Sequence, residues 1–131
     1  MTLWWGASPA GTDPQLTELE KDILGRFHVA YSDKGFPDIS ELQVEYREHT
    51  GAGRYTYLGH PGVVALPDGW HGVGNYCHFE MDGLPYGGTY GLFIEKQKIK
   101  ILELSVIGEC EWYGSENSWR IADPKTGEFS D

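Results

Sequence analysis

The stretch Leu42-Gln43-Val44-Glu45-Tyr46-Arg47-Glu48-His49-Thr50-Gly51-Ala52-Gly53-Arg54-Tyr55-Thr56 decides how this chain folds, because the period of the apolar residues changes here. On its N-terminal side Leu16, Leu19, Ile23, Phe27 and Ala30 recur at spacings of three and four, with Leu24 and Tyr31 widening the stripe. Glu18, Glu20, Lys21, Asp22 and Arg26 take the other faces, so residues 14–31 read as an amphipathic helix lying on something. From Leu42 onward the period is two. Leu42, Val44 and Tyr46 alternate with Glu41, Gln43, Glu45 and Arg47, which is a strand with one wet face.

Two signals compete for the start of the helix. Asp13 before Pro14 fits an N-cap followed by proline at the first helical position, whereas Thr17 with Glu20 forms a capping box one turn later. Residues 1–13 form a lead whose Trp4 and Trp5 are apolar enough to pack back on the body, and Ser32 to Pro37 ends the helix with turn chemistry.

Further strands are expected at Tyr55–Leu58, Gly62–Leu66, Cys77–Met81, Thr89–Glu95 and Ile99–Ile107. Pro67-Asp68-Gly69 reads as a turn, and Trp70–Asn75 and Asp82–Gly88 as loops. Lys96-Gln97-Lys98 reads as a tight connection. In the last strand Ile99 and Ile101 lie on one face and Leu102, Leu104 and Val106 on the other. Either a bulge shifts the phase, or the strand is buried on both sides in mid-sheet beneath the helix. The expectation is one domain over residues 1–131, of class α+β. An N-terminal amphipathic helix packs on one face of an antiparallel sheet of about six strands spanning 41–107, followed by an irregular segment, 108–131, along the sheet edge. No later segment offers a crossover helix, so the pairing is antiparallel.

Gly51-Ala52-Gly53 invites a phosphate-cradle reading. Such loops work by leading into a helix N-terminus, and this one leads into Arg54-Tyr55-Thr56-Tyr57 instead, without the Gly-Lys-Ser/Thr that would complete the motif. A hairpin or bulge is expected.

Composition narrows the function classes. Twenty acidic against 10 basic residues give a net charge of −10, which repels nucleic acid and anionic membrane surfaces and favours a basic partner. No segment has the apolar length of a membrane span, and the start lacks the basic and apolar regions of a signal peptide, so a cytoplasmic protein is expected. Cys77 and Cys110 lack zinc-type spacing, and ordinary reduced thiols are expected. Neither a metal nor a cofactor is called for.

Three places bear on chemistry. His78, Glu80 and Asp82 alternate onto one strand face, which suits a metal or acid/base cluster but equally an ordinary solvent face beside Cys77, Phe79 and Met81. No Gly-x-Ser-x-Gly elbow surrounds any serine, and no catalytic residue is assigned. Glu103, inside Ile101-Leu102-Glu103-Leu104, must pair or take up a proton if buried, and Arg47 and Arg54 are its candidate partners. Glu109, Glu111, Trp112, Tyr113 and Glu116 mix carboxylates with large aromatics, as interfaces with basic partners do, while Trp112 and Trp119 also suit a role capping the core.

Several stretches together resemble a known group. Leu16-Thr17-Glu18-Leu19-Glu20, Tyr46-Arg47-Glu48-His49-Thr50-Gly51-Ala52-Gly53, Met81-Asp82-Gly83-Leu84, Gly91-Leu92-Phe93-Ile94, and Leu102-Glu103 followed by Gly108-Glu109 and Trp112 are similar to motifs of small bacterial α+β domains. Those domains open with a helix and carry an Arg-Glu-x-Thr-Gly-x-Gly turn, a Gly-Leu-x-x-Gly loop and a Leu-Glu strand with an acidic-Trp end. Tyr86 departs from the histidine common in that loop, and Gly59–Gly74 is an insertion of this chain. The resemblance implies a compact domain with no assigned reaction. In size and charge the chain is also similar to immunity proteins of bacterial toxin systems.

The leading expectation is therefore a non-enzymatic binding protein, an immunity protein that neutralises a basic toxin domain by direct binding, acting as a monomer or homodimer. The alternative is a small-ligand or enzymatic domain with a pocket around Arg47, Glu103, Trp70 and His71.

Overall fold

The computed structural model of the chain describes residues 15–129. Helix α1 runs Glu18–Tyr31, and the expected alternative start at Asp13-Pro14, like the Trp4-Trp5 lead, lies outside the described residues. Thr17 caps the helix: its hydroxyl accepts from the Glu20 N–H, and the Glu20 carboxylate accepts from the Thr17 N–H, so the capping box closes. Leu19, Ile23, Leu24 and Phe27 are fully buried, each contributing about 2 kcal/mol by removal from water. Ala30, expected on the apolar stripe, is exposed.

Among the described residues the sheet has seven strands: β1 Gln43–His49, β2 Gly53–Gly59, β3 Gly69–His71, β4 His78–Met81, β5 Leu84–Glu95, β6 Lys98–Val106 and β7 Trp119–Ile121. Their order is β1-β2-β6-β5-β4-β7, with β3 on the end of β5 beyond β4, and every pairing is antiparallel. The helix lies on one face, where Phe27 meets Tyr90 edge-on at 6.1 Å and Leu58, Leu92, Ile94, Ile99, Leu102 and Leu104 complete the core. The α+β reading holds.

Several boundaries differ from expectation. Residues 62–66 are not a strand: Val64 N–H donates to the Gln97 carbonyl and Ala65 N–H to the Lys34 carbonyl, so this segment buries Val64 and Leu66 as an anchored loop between prolines. Trp70, expected in a loop, belongs to β3. Residues 84–88, also expected as loop, open the 12-residue β5, because Gly87 and Gly88 sit where only hydrogen fits against the Phe79 backbone and ring. The segment 108–131 is not wholly irregular, since β7 pairs with β4 at the sheet edge.

Two β-bulges set which side chains face which way. In β6 the pairing steps from Phe93–Ile101 to Ile94–Ile99, leaving Lys100 extra; a bulge therefore shifts the phase, and Glu103 on the far face is only partly covered. In β1 the pairing steps from Val44–Leu58 to Tyr46–Tyr57, leaving Glu45 extra. A one-residue slip exchanges faces. Arg47 consequently points under the helix and Tyr46 to the open side, the reverse of the simple alternation expected for this strand.

Residues 50–52 connect β1 to β2, with Gly51 at φ +85°. The Gly51 and Ala52 carbonyls accept from Trp112 N–H and Val106 N–H, so the glycine turn is a hairpin that receives the C-terminal segment and not an anion cradle.

Candidate functional site

Beneath the N-terminus of α1 the sequence assembles a buried ionic cluster. Arg47 donates to Glu20 from Nε at 3.0 Å and from Nη2 at 2.6 Å, and to the Gln15 carbonyl at 2.7 Å. Arg54 lies 3.0 Å from the second Glu20 oxygen and donates to Glu116 at 2.8 Å, while the Thr56 hydroxyl donates to Glu20 at 2.7 Å. Glu116 also accepts from the Leu19 N–H at the helix N-terminus, where a carboxylate is favoured by the helix dipole. Burial would raise the Glu20 carboxyl, but the Arg47 hydrogen bond, the charges of Arg54 and Arg47, and the Thr56 hydroxyl outweigh it and hold it at about 2. Two guanidinium groups balance two carboxylates, and Glu20 itself is fully enclosed. The cluster fastens helix, hairpin and tail to one another; substrate has no route to it through Glu20.

The same geometry relocates the residues singled out in the tail. Trp112 is buried, donates its indole N–H to the Ser115 carbonyl at 2.8 Å, and lies under the Arg54 guanidinium at 5.2 Å. Trp112 and Glu116 thus belong to the body of the fold and not to a docking surface. Glu109, Glu111 and Tyr113 remain exposed, with the Tyr113 hydroxyl donating to Glu111. Cys77 and Cys110 are unpaired thiols.

The pocket expected around Arg47, Glu103, Trp70 and His71 does not form. Arg47 faces the helix, Glu103 and Trp70 face the other side of the sheet, and His71 Nε2 is engaged with the Pro67 carbonyl at 2.7 Å. Glu103 pairs with neither arginine; it accepts from the Tyr55 hydroxyl, and that hydrogen bond and charge push the Tyr55 phenol up. His78, Glu80 and Asp82 line a cleft of about 510 Å³, but Glu80 is taken by Arg120. No group of three or more His, Cys, Asp or Glu among the described residues is arranged to hold a metal ion.

What the sequence reading missed is the open face of the sheet. Register places Tyr46, Tyr57, Ile101, Phe93 and Trp70 side by side across β1, β2, β6, β5 and β3. Tyr46 and Tyr57 stack with ring centroids 4.2 Å apart, and Trp70 meets Phe93 at 5.0 Å. Two residues along, a second row runs Glu48, Tyr55, Glu103 and Gly91, and the Trp70 ring leans over Gly91. Tyr46 is 46% and Trp70 51% exposed, although both are large and apolar. The hydrogen bond with Tyr46, burial, and the Glu48 charge push the Tyr57 phenol up to about 12, so at neutral pH its ring is uncharged beside two carboxylates. No other helix or sheet among the described residues covers this face. The bulge at Glu45 was the missing signal: without it Tyr46 counts as core.

No family model matches the chain, and no curated protein and no solved structure is significantly similar to it. No helix among the described residues is long and apolar enough to cross a membrane.

Proposed function

We propose that this chain is a non-enzymatic binding domain that docks a basic protein on the open face of its sheet, in its most concrete form an immunity protein that neutralises a basic toxin domain by direct binding. One observation carries the reading: an aromatic row, exposed at Tyr46 and Trp70 and partly covered between them, lies abreast of an acidic row on a seven-stranded sheet. Large apolar side chains left in water are unfavourable and add nothing to a core on the other face, so a contiguous set of them marks a surface meant to be covered. Aromatic anchors supply affinity, and the net charge of −10 speeds the encounter with a cationic surface. Glu109, Glu111 and Tyr113 fit as outlying acidic surface. Trp112 and Glu116 do not take part.

The test compares capture from lysate of the source bacterium by the native chain, by Tyr46→Ser/Phe93→Ser, and by Glu109→Gln/Glu111→Gln. Loss of one basic partner with the first variant alone supports the reading. Retention of that partner by the first variant, with its fold intact by circular dichroism, contradicts it.

A further inference from the structure

Resting on that reading, we infer that the partner presents an amphipathic α-helix laid across the strands, its apolar stripe on the Tyr46–Trp70 row and its Lys or Arg residues over Glu48 and Glu103. The geometry selects a helix. Strands stand about 4.8 Å apart and a helix advances about 5.4 Å per turn, so a crossing helix sets roughly one side chain on each strand. The row crosses five strands, a span of roughly 19 Å, which a helix covers in about 13 residues. A partner strand would instead add to a sheet edge through its backbone and leave this row uncovered.

Charge favours one direction for that helix. Residues two apart on a strand are separated by about 6.7 Å, close to the width from the apolar stripe of a helix to its flank. Glu48 and Glu103 occupy that distance on one side of the row. On the other side of Ile101 along β6 stands Lys100, the exposed bulge residue, followed by Lys98. Basic residues on a single flank therefore meet two carboxylates in one chain direction, and in the reverse one meet Lys100 together with the Lys98–Glu95 pair, where attraction and repulsion offset each other. The carboxylates flank Tyr55, whose ring offers a guanidinium a face to stack upon between them.

The experiment titrates the isotope-labelled full chain by NMR with three synthetic peptides of about 14 residues, a length sufficient to cross the row. One carries a leucine and tryptophan stripe with arginines on one flank, one the same stripe with glutamates, and one the arginines with alanine in place of the stripe. The arginine-flanked amphipath is expected to shift the amides of Tyr46, Tyr57, Ile101, Phe93 and Trp70, to gain helicity, and to bind at least about tenfold more tightly than either other peptide. Glu48→Gln/Glu103→Gln should weaken it about tenfold. Equal binding of all three peptides, shifts confined to other surfaces, or no binding overturns the inference. If the captured natural partner still requires Tyr46 and Phe93, the docking face survives and only the helix is wrong; if it does not, the reading of the face falls as well.

Discussion

Glu20 of the helix and Arg47 of β1 form a two-point ion pair with no solvent access to the carboxylate, and the β1 bulge at Glu45 is what turns Arg47 toward it. The same slip turns Tyr46 outward, so the buried cluster and the exposed aromatic row have one cause. Removing one member of such a pair strands the other charges in the core. Glu20→Gln should destabilise the fold by about 3–5 kcal/mol, measured by urea unfolding, because Arg47 and Arg54 then lose their shared carboxylate. A change below about 1 kcal/mol would mean the cluster is hydrated and dispensable.

Stability should fall with acid in two stages. His49 is held below its ordinary 6.5 by burial and by Arg54 and Arg47, so below 6.5 the unfolded chain binds more protons and stability drops. Glu20, held at about 2 against an ordinary 4.5, contributes stability that is complete above 4.5 and lost as pH falls from there toward 2. That second stage is worth roughly 3 kcal/mol. Urea midpoints taken across this range should show both limbs; His49→Gln should reduce the upper one without touching the lower, and His60, also held below 6.5 by burial and by Lys98, accounts for what remains.

The tail divides into enclosed structural residues and exposed carboxylates. Trp112→Ala should cost about 3–5 kcal/mol, since it empties a buried site under Arg54 and removes the indole N–H bond to the Ser115 carbonyl. Glu116→Gln should cost about 1–3 kcal/mol by weakening its bond to Arg54. Glu109→Gln and Glu111→Gln should each stay within about 0.5 kcal/mol by thermal unfolding. Equal losses in all four variants would contradict this partition.

The hairpin between β5 and β6 turns on Lys96 and Gln97, at φ +52° and +62°. Neither residue suits the left-handed region, which Asn-Gly adopts with ease. Lys96→Asn/Gln97→Gly should raise stability by about 1 kcal/mol, because the backbone bonds of Lys96 N–H to Asp68 and of the Gln97 carbonyl to Val64 are kept. A lower melting temperature would show that the native side chains matter more than the turn.

The parts of the fold written in local pattern were legible. The helix, the change of period at Leu42, the antiparallel class and the phase break in β6 all follow from spacing along the chain. What was hidden depends on pairings far apart in sequence. Arg47 counts as wet until Glu20, 27 residues away, supplies a buried partner. Glu20 itself carried a hint, since it shares a helix face with Leu24 and Phe27. The open face depends on a bulge that no turn residue announces, and it joins Tyr46 to Trp70 through three intervening strands. β3 escaped notice because three residues beside glycines give no period to count. Composition left Trp112 open between a surface anchor and a cap on the core and drew Glu116 to the surface, when their partners Ser115, Arg54 and Leu19 place both inside.

If the aromatic and acidic rows together form the docking face, as proposed, the association rate of the captured basic partner reports on it, followed at rising salt for the native chain and for Glu48→Gln/Glu103→Gln. The expected result is association slowed about tenfold at low salt with a flatter salt dependence, while Glu109→Gln/Glu111→Gln changes the rate by less than about threefold. An unchanged rate and slope in the Glu48/Glu103 variant, with strong effects from Glu109 and Glu111, would contradict the claim and move the docking surface to the tail.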